Sequence, residues 1–279
     1  MPRVGPRQLL GAILLSVLPL VAAATAPLAF ERVGVGDGLP SETATAVLRD
    51  RDGFVWVGTR DGLALYDGYG MRVFQHDADD PESLPSNGIR ALHEDAAGRL
   101  WVATNGGGLA LLHRGTWRFR TFRHDEAHAD SLSNDTVYAI EASRDGRLWV
   151  GTHAGLDLLD PAAGTFQHVL RGDGPAPRFG QVMVVTEDPG GRVWVGSYGS
   201  GLALRDAAGA WTFHRHEPGR PDSLASDDVF AVALDGKGRA WLGTHDGLDR
   251  WEGHPGSFVH VDLAPTGPPE VLVTSIVFG

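Results

Sequence analysis

A tryptophan recurs at positions 56, 101, 149, 194 and 241, each time inside nearly the same phrase. The phrases are DGFVWVGTRDGL, AGRLWVATNGGGL, DGRLWVGTHAGL, GGRVWVGSYGSGL and KGRAWLGTHDGL, spaced 45, 48, 45 and 47 residues apart. A unit of this length buries little by itself, so repeated units stack and share cores. A period of this size, rich in short apolar runs and glycine turns, predicts blades rather than helical repeats.

The expected class is all-β: a β-propeller of four-stranded antiparallel blades, five of them complete, with a sixth begun. The second unit parses as strands over 89–93, 99–104, 109–113 and 117–122, and no helix is required. Gly53, Gly98, Gly146, Gly191 and Gly238 fall where a tight turn needs a positive φ. The recurrent tryptophan reads as a wedge between neighbouring blades; the rival reading is a platform on which a ligand stacks. Phe30–Val35 resembles an outer fourth strand that precedes any first strand. At the far end, Val273–Val277 aligns with Val229–Ala233 and opens the sixth blade. The expectation is therefore a piece of a longer protein, with residues 28–279 forming the front of the propeller.

Arg3 and Arg7 precede an apolar run from Leu9 to Ala24 that ends in small residues. Residues 1–24 read as a signal peptide cut after Ala24, with an uncleaved anchor as the alternative. There is no cysteine, which removes disulfides, thiolate metal sites and cysteine nucleophiles and suits a bacterial periplasm. A formal net charge of −11 without a basic patch argues against a nucleic-acid partner.

One slot changes while its surroundings stay fixed. The residue after the conserved Thr or Ser is Arg60, Asn105, His153, Tyr198 and His245 in turn. The turn that carries it shares a rim with the S-L-x-S links between blades, and rotation gathers the five side chains around a central depression. Arginine there suits a carboxylate or sulfate, and Asn, His and Tyr suit hydroxyls; the plain alternative is an exposed turn that tolerates variety. His76, His124 and His216 each stand eight residues before Leu84, Leu132 and Leu224, which makes them blade-end features. His214 and His216 with Glu217, and His124 with His128, are too sparse to fix a zinc site. The acidic turns Asp50–Asp52 and Asp77–Asp80 lack calcium-loop spacing and read as turn caps. No catalytic residue, metal site or cofactor is assigned.

The phrase D-x-x-G-x-[VL]-W-V-G-T-x-x-G-L and the link Asp80-Pro81-Glu82-Ser83-Leu84-Pro85-Ser86-Asn87 resemble the two-component regulator propeller family. Asp130–Asn134, Pro221–Ser226 and Asp37–Ser41 are variants of that link. The resemblance covers residues 28–279 and implies seven blades in the whole propeller. It also implies a periplasmic sensor attached to the inner membrane, followed by a β-sandwich, a membrane helix and an output domain. That output is a histidine kinase or a diguanylate cyclase. The implied ligand is a small molecule or oligosaccharide, and a homodimer is implied for the full-length sensor. A propeller hydrolase or lyase is the enzymatic alternative, supported by the Asp-box-like stretch Ser143–Trp149. A secreted protein-binding scaffold is the third reading.

Overall fold

Each tryptophan phrase folds as the second strand of a four-stranded antiparallel sheet. The computed structural model describes residues 32–173, 178–253, 257–263 and 271–278, so residues 1–24 and Phe30 lie outside the described residues. Blade 1 is β1 (Ala44–Arg49), β2 (Val55–Thr59), β3 (Gly62–Tyr66) and β4 (Met71–Phe74). Blade 2 is β5 (Ile89–Glu94), β6 (Leu100–Thr104), β7 (Leu109–His113) and β8 (Arg118–Phe122). Blade 3 is β9 (Val137–Ala142), β10 (Leu148–Thr152), β11 (Gly155–Asp160) and β12 (Thr165–Arg171). Blade 4 is β13 (Val182–Glu187), β14 (Val193–Ser197), β15 (Leu202–Arg205) and β16 (Trp211–His214). Blade 5 is β17 (Val229–Leu234), β18 (Ala240–Thr244), β19 (Gly247–Trp251) and β20 (Phe258–Val261). Strands pair in sequence order within every sheet, and the first strands β1, β5, β9, β13 and β17 pack in succession.

The cores lie between blades, as stacking of incomplete units demands. Trp56 packs with Leu63, Leu84, Leu100 and Phe119 between blades 1 and 2, and Trp101 with Leu132, Val137 and Phe166 between blades 2 and 3. Trp149 meets Phe179, Val182 and Val193, and Trp194 meets Leu224, Val229 and Phe258. Burying an indole of about 200 Å² contributes about 5 kcal/mol, so these four side chains explain why the blades associate. Val47 shows the converse. Its counterparts Leu92 and Ile140 pack against the preceding blade, whereas Val47 is 66% exposed.

The five turn glycines have φ between 73° and 91°, as their positions require. Val273 lies where the first strand of a sixth blade would start. A Cβ on Gly243 would meet the Val273 oxygen at 2.5 Å, just as one on Gly151 would meet Val182 Cγ1 at 2.7 Å. Trp241 touches Phe278 with ring centroids 5.9 Å apart. Of Phe30–Val35, expected to supply a fourth strand to the last blade, Phe30 and Glu31 lie outside the described residues. Arg32–Gly34 form no strand and Val35–Asp37 form a single 3-10 turn, closed by Gly34 N–H donating to Asp37 Oδ2.

Candidate functional site

The T-x-x-G turns are built by their first residue. Thr59 Oγ1 donates to Gly62 O at 2.8 Å, Thr104 to Gly108 O at 2.7 Å and Thr152 to Gly155 O at 3.1 Å. Ser197 and Thr244 repeat the bond to Gly201 and Gly247. This buried hydroxyl closes the turn and leaves the next side chain facing solvent, so the slot varies freely on a rigid support. Arg60, Asn105, His153, Tyr198 and His245 are all exposed. The rim is shared with the links: Ser86 Oγ donates to Asn105 O, and Asn105, His153, Tyr198 and His245 N–H groups reach Gly88, Thr136, Gln181 and Asp228 carbonyls.

Arg60 and Asn105 line one cavity of about 440 Å³, together with Thr45, Gly88, Ile89 and Arg90. Arg90 Nη2 donates to Asn105 Oδ1 at 3.1 Å, and its guanidinium lies 5.4 Å from the Tyr138 ring. Tyr138 Oη is 3.4 Å from His153 Nδ1. A run of polar contacts thus joins Asn105 to His153 across blades 2 and 3. Tyr198 stands apart from that run and packs on Phe230, with centroids 6.3 Å apart. His245 pairs with Asp246 at 3.0 Å.

Sequence reasoning missed Arg90, Tyr138 and Phe230. They occupy the second position of the first strand, the variable residue after the buried Ile89, Val137 and Val229. The signal was present: Thr45, Arg90, Tyr138, Met183 and Phe230 vary beside conserved apolar neighbours, as the slot does.

The histidines are structural. His76, His124 and His216 donate Nδ1–H to Leu84, Leu132 and Leu224 carbonyls at 2.8–2.9 Å, which fixes the link above each buried leucine. His214 is buried edge-on to Phe258, and burial, with Arg220 nearby, lowers its pKa. It faces the core while His216 holds the link, so the pair shares no metal. Among the described residues, no three His, Cys, Asp or Glu side chains form a group that could hold a metal ion. Asp50 Oδ1 caps the N–H groups of Asp52 and Phe54, and Asp77 Oδ1 that of Asp79, as turn caps do. Asp157 and Asp249, both fully buried, cap Ser133 N–H and Ala225 N–H and bind His168 and His260.

Residues 38–61, 83–106 and 131–154 match the family model described as Two component regulator propeller. Among solved structures, the chain resembles the extracellular domain of a protein described as a hybrid two component system of B. thetaiotaomicron. Identity is 25% and the TM-score 0.72, over 82% of this chain and 31% of that one. The extracellular domain of a protein described as a one component system of the same organism matches at 21% identity and TM-score 0.62, over 79% and 31%. Virginiamycin B lyase of Staphylococcus aureus matches at 12% identity and TM-score 0.57, over 80% and 71%. The last two likenesses concern the fold alone, and the chain spans about a third of the two extracellular domains. None of the curated proteins matches this chain.

Proposed function

Because three segments of this chain match the two component regulator propeller model, we propose that it is the ligand-sensing part of an extracytoplasmic receptor. Its ligand is a small polar molecule, an oligosaccharide first among candidates, taken at the rim that carries the T-x-x-G turns. One observation carries this reading: variable polar side chains from two independent slots converge there, Arg90 on Asn105 and Tyr138 on His153. A rim that only had to stay soluble has no need of that convergence, whereas sites of this kind use a few polar groups on a rigid frame.

The rim offers guanidinium, amide, phenol and imidazole groups, which recognise hydroxyls and carboxylates without any bond being broken. The role assigned to the chain is non-catalytic, with signalling assigned to a separate output domain, a histidine kinase before a diguanylate cyclase. The likeness to extracellular domains supports export. No described helix is long and apolar enough to cross a membrane. In such a receptor, a ligand acts by favouring one arrangement of the propeller relative to its neighbouring domain.

The test is a thermal-shift screen of the chain against neutral and acidic mono- and oligosaccharides, repeated on an Arg90→Ala/Tyr138→Ala variant. A ligand that raises the melting temperature of the parent and not of the variant supports the site. A shift that survives both substitutions, or no shift across the panel, removes it.

A further inference from the structure

The repeat breaks at one turn, at the end of the second strand opposite the T-x-x-G turns. Blades 1, 2, 4 and 5 begin their first turn with Asp50, Asp95, Asp188 and Asp235, whereas blade 3 has Ser143. Asp50, Asp95 and Asp235 each take the indole N–H of their own tryptophan at 2.8–3.1 Å. Ser143 carries no carboxylate, and Trp149 Nε1–H donates instead across the interface to Glu187 Oε2 at 2.8 Å. A cleft of about 750 Å³ opens beside it, between blades 3 and 4.

The charge of this cleft is unusual for the molecule. It is lined by three arginines (144, 147 and 205) against two carboxylates, in a chain whose net charge is −11. Arg147 is committed to Asp145, with contacts of 2.9 and 2.6 Å. Glu187 is committed to Trp149 and to the Arg144 backbone N–H. Among the described residues, neither Arg144 nor Arg205 has a carboxylate within ion-pair distance. Arg51, the counterpart of Arg144 in blade 1, is by contrast held by Glu94 and by Asp95 O. Half-exposed Trp211 and exposed Gln167 complete the wall.

We propose that this cleft is a second ligand site, one that takes an organic oxyanion: a carboxylate or sulfate carried on a ring of monosaccharide size. A guanidinium fork matches the two oxygens of such a group, and two forks on facing blades hold it from both sides. Trp211 offers a flat apolar surface to the ring, and Gln167 a donor and an acceptor to its hydroxyls. The site stands independently of the T-x-x-G rim, since none of these residues lies there.

Calorimetric titration of the full chain with glucuronate, and separately with inorganic sulfate, tests the assignment. Glucuronate binds with a Kd on the order of 1 mM at low salt and weakens as salt rises. Arg144→Ala/Arg205→Ala weakens it at least about tenfold, a difference of about 1.4 kcal/mol. Ser143→Asp weakens it comparably while the melting temperature holds or rises, because aspartate is what the sister blades carry; this variant separates loss of the site from loss of the fold. Lys237→Ala, remote in blade 5 and exposed, removes a single positive charge and leaves binding unchanged. Saturable glucuronate binding that responds to both site variants supports the proposal. Absence of saturable binding, binding of sulfate alone, or binding indifferent to both variants overturns it.

Discussion

The interfaces between blades 1 and 2 and between blades 3 and 4 are built from the same strands, yet one is sealed and the other open. At the first, Arg114 fills the space beside Trp56. Its Nη1 donates to Asp50 Oδ2 at 2.7 Å and its Nη2 to Glu94 Oε1 at 2.9 Å. Arg51 adds its backbone N–H and Nε–H to Glu94. At the second interface, the corresponding glutamate, Glu187, receives the Trp149 indole and a single long bond of 3.4 Å from Arg144 N–H. The turn itself does not cause the difference. Asp95 and Ser143 close identical backbone loops, with Gly98 N–H on Asp95 O at 2.9 Å and Gly146 N–H on Ser143 O at 3.0 Å. What Asp50, Asp95 and Asp235 add is an anchor for the indole as well as the turn, whereas Asp188 holds its turn and Arg192 and leaves the Trp194 N–H without a partner. Where the aspartate is missing, the blades still pack on their tryptophan but leave room beside it.

The sharpest way to break this comparison is to impose the serine of blade 3 on a blade that keeps its aspartate, blade 2. Asp95 accepts from Ala97 N–H, Arg99 N–H, Arg99 Nε–H and Trp101 Nε1–H. Burial pushes its pKa up, but those bonds outweigh burial and hold the carboxyl below the usual range. Asp95→Ser leaves a fully buried indole N–H without a partner and takes the carboxylate from Arg99, which keeps only a long bond of 3.4 Å to Pro161 O. The expected loss is about 3–4 kcal/mol, read from urea unfolding. A loss below about 1 kcal/mol would mean that the anchor is ornamental and that Ser143 marks no real divergence.

Removing the plug has a smaller effect. Arg114 keeps a quarter of its side chain exposed, while its partner Asp50 is fully buried. Arg114→Ala therefore costs about 2 kcal/mol, the burial of Asp50 being partly relieved by water that enters the vacated space. It also opens a cleft between blades 1 and 2 resembling that between blades 3 and 4. A crystal structure of the variant with the interface still closed would show that packing, not the guanidinium, seals it.

The sequence disclosed most of the fold because the repeat carries its own phase. Trp, turn glycine and Thr recur at fixed offsets, and each has one structural role that five copies make plain. The candidate site was half legible. The slot residues announce themselves by varying next to a constant Thr, but whether they meet depends on Arg90 and Tyr138, which lie fifteen residues upstream of Asn105 and His153 on another strand. The cleft was hidden for a different reason. Ser143 looked like one more turn residue, and the significance of losing a single carboxylate appears only when Trp149 is seen reaching for Glu187. In the link to blade 4, buried Phe179 likewise replaces the leucine of the S-L-x-S motif, a swap of equivalents that no local pattern reveals.

The smallest expected effect lies beneath the open interface and depends on pH. Glu141 faces Glu187 there, and burial, reinforced by the neighbouring charge, pushes its pKa up to about 7 from 4.5. Between those two values the folded chain keeps a proton that the unfolded chain releases. Stability therefore falls as pH rises from about 4.5 to about 7 and levels off above that. A shift of that size corresponds to at most about 3 kcal/mol, and partial access of water to the half-buried side chain reduces the expected drop to about 1. Glu141→Gln keeps the shape and removes the titration. Its unfolding free energy should exceed that of the parent at pH 8 and match it near pH 4.5, with no slope assignable to this position in between. Between blades 2 and 3 the same strand position holds His93, whose pKa burial lowers. A histidine neutral in the fold disfavours acid instead, so His93→Gln should raise stability below pH 6. If parent and Glu141→Gln curves run parallel from pH 5 to 8, the two carboxylates do not repel each other, and the open interface has water where the structure has protein.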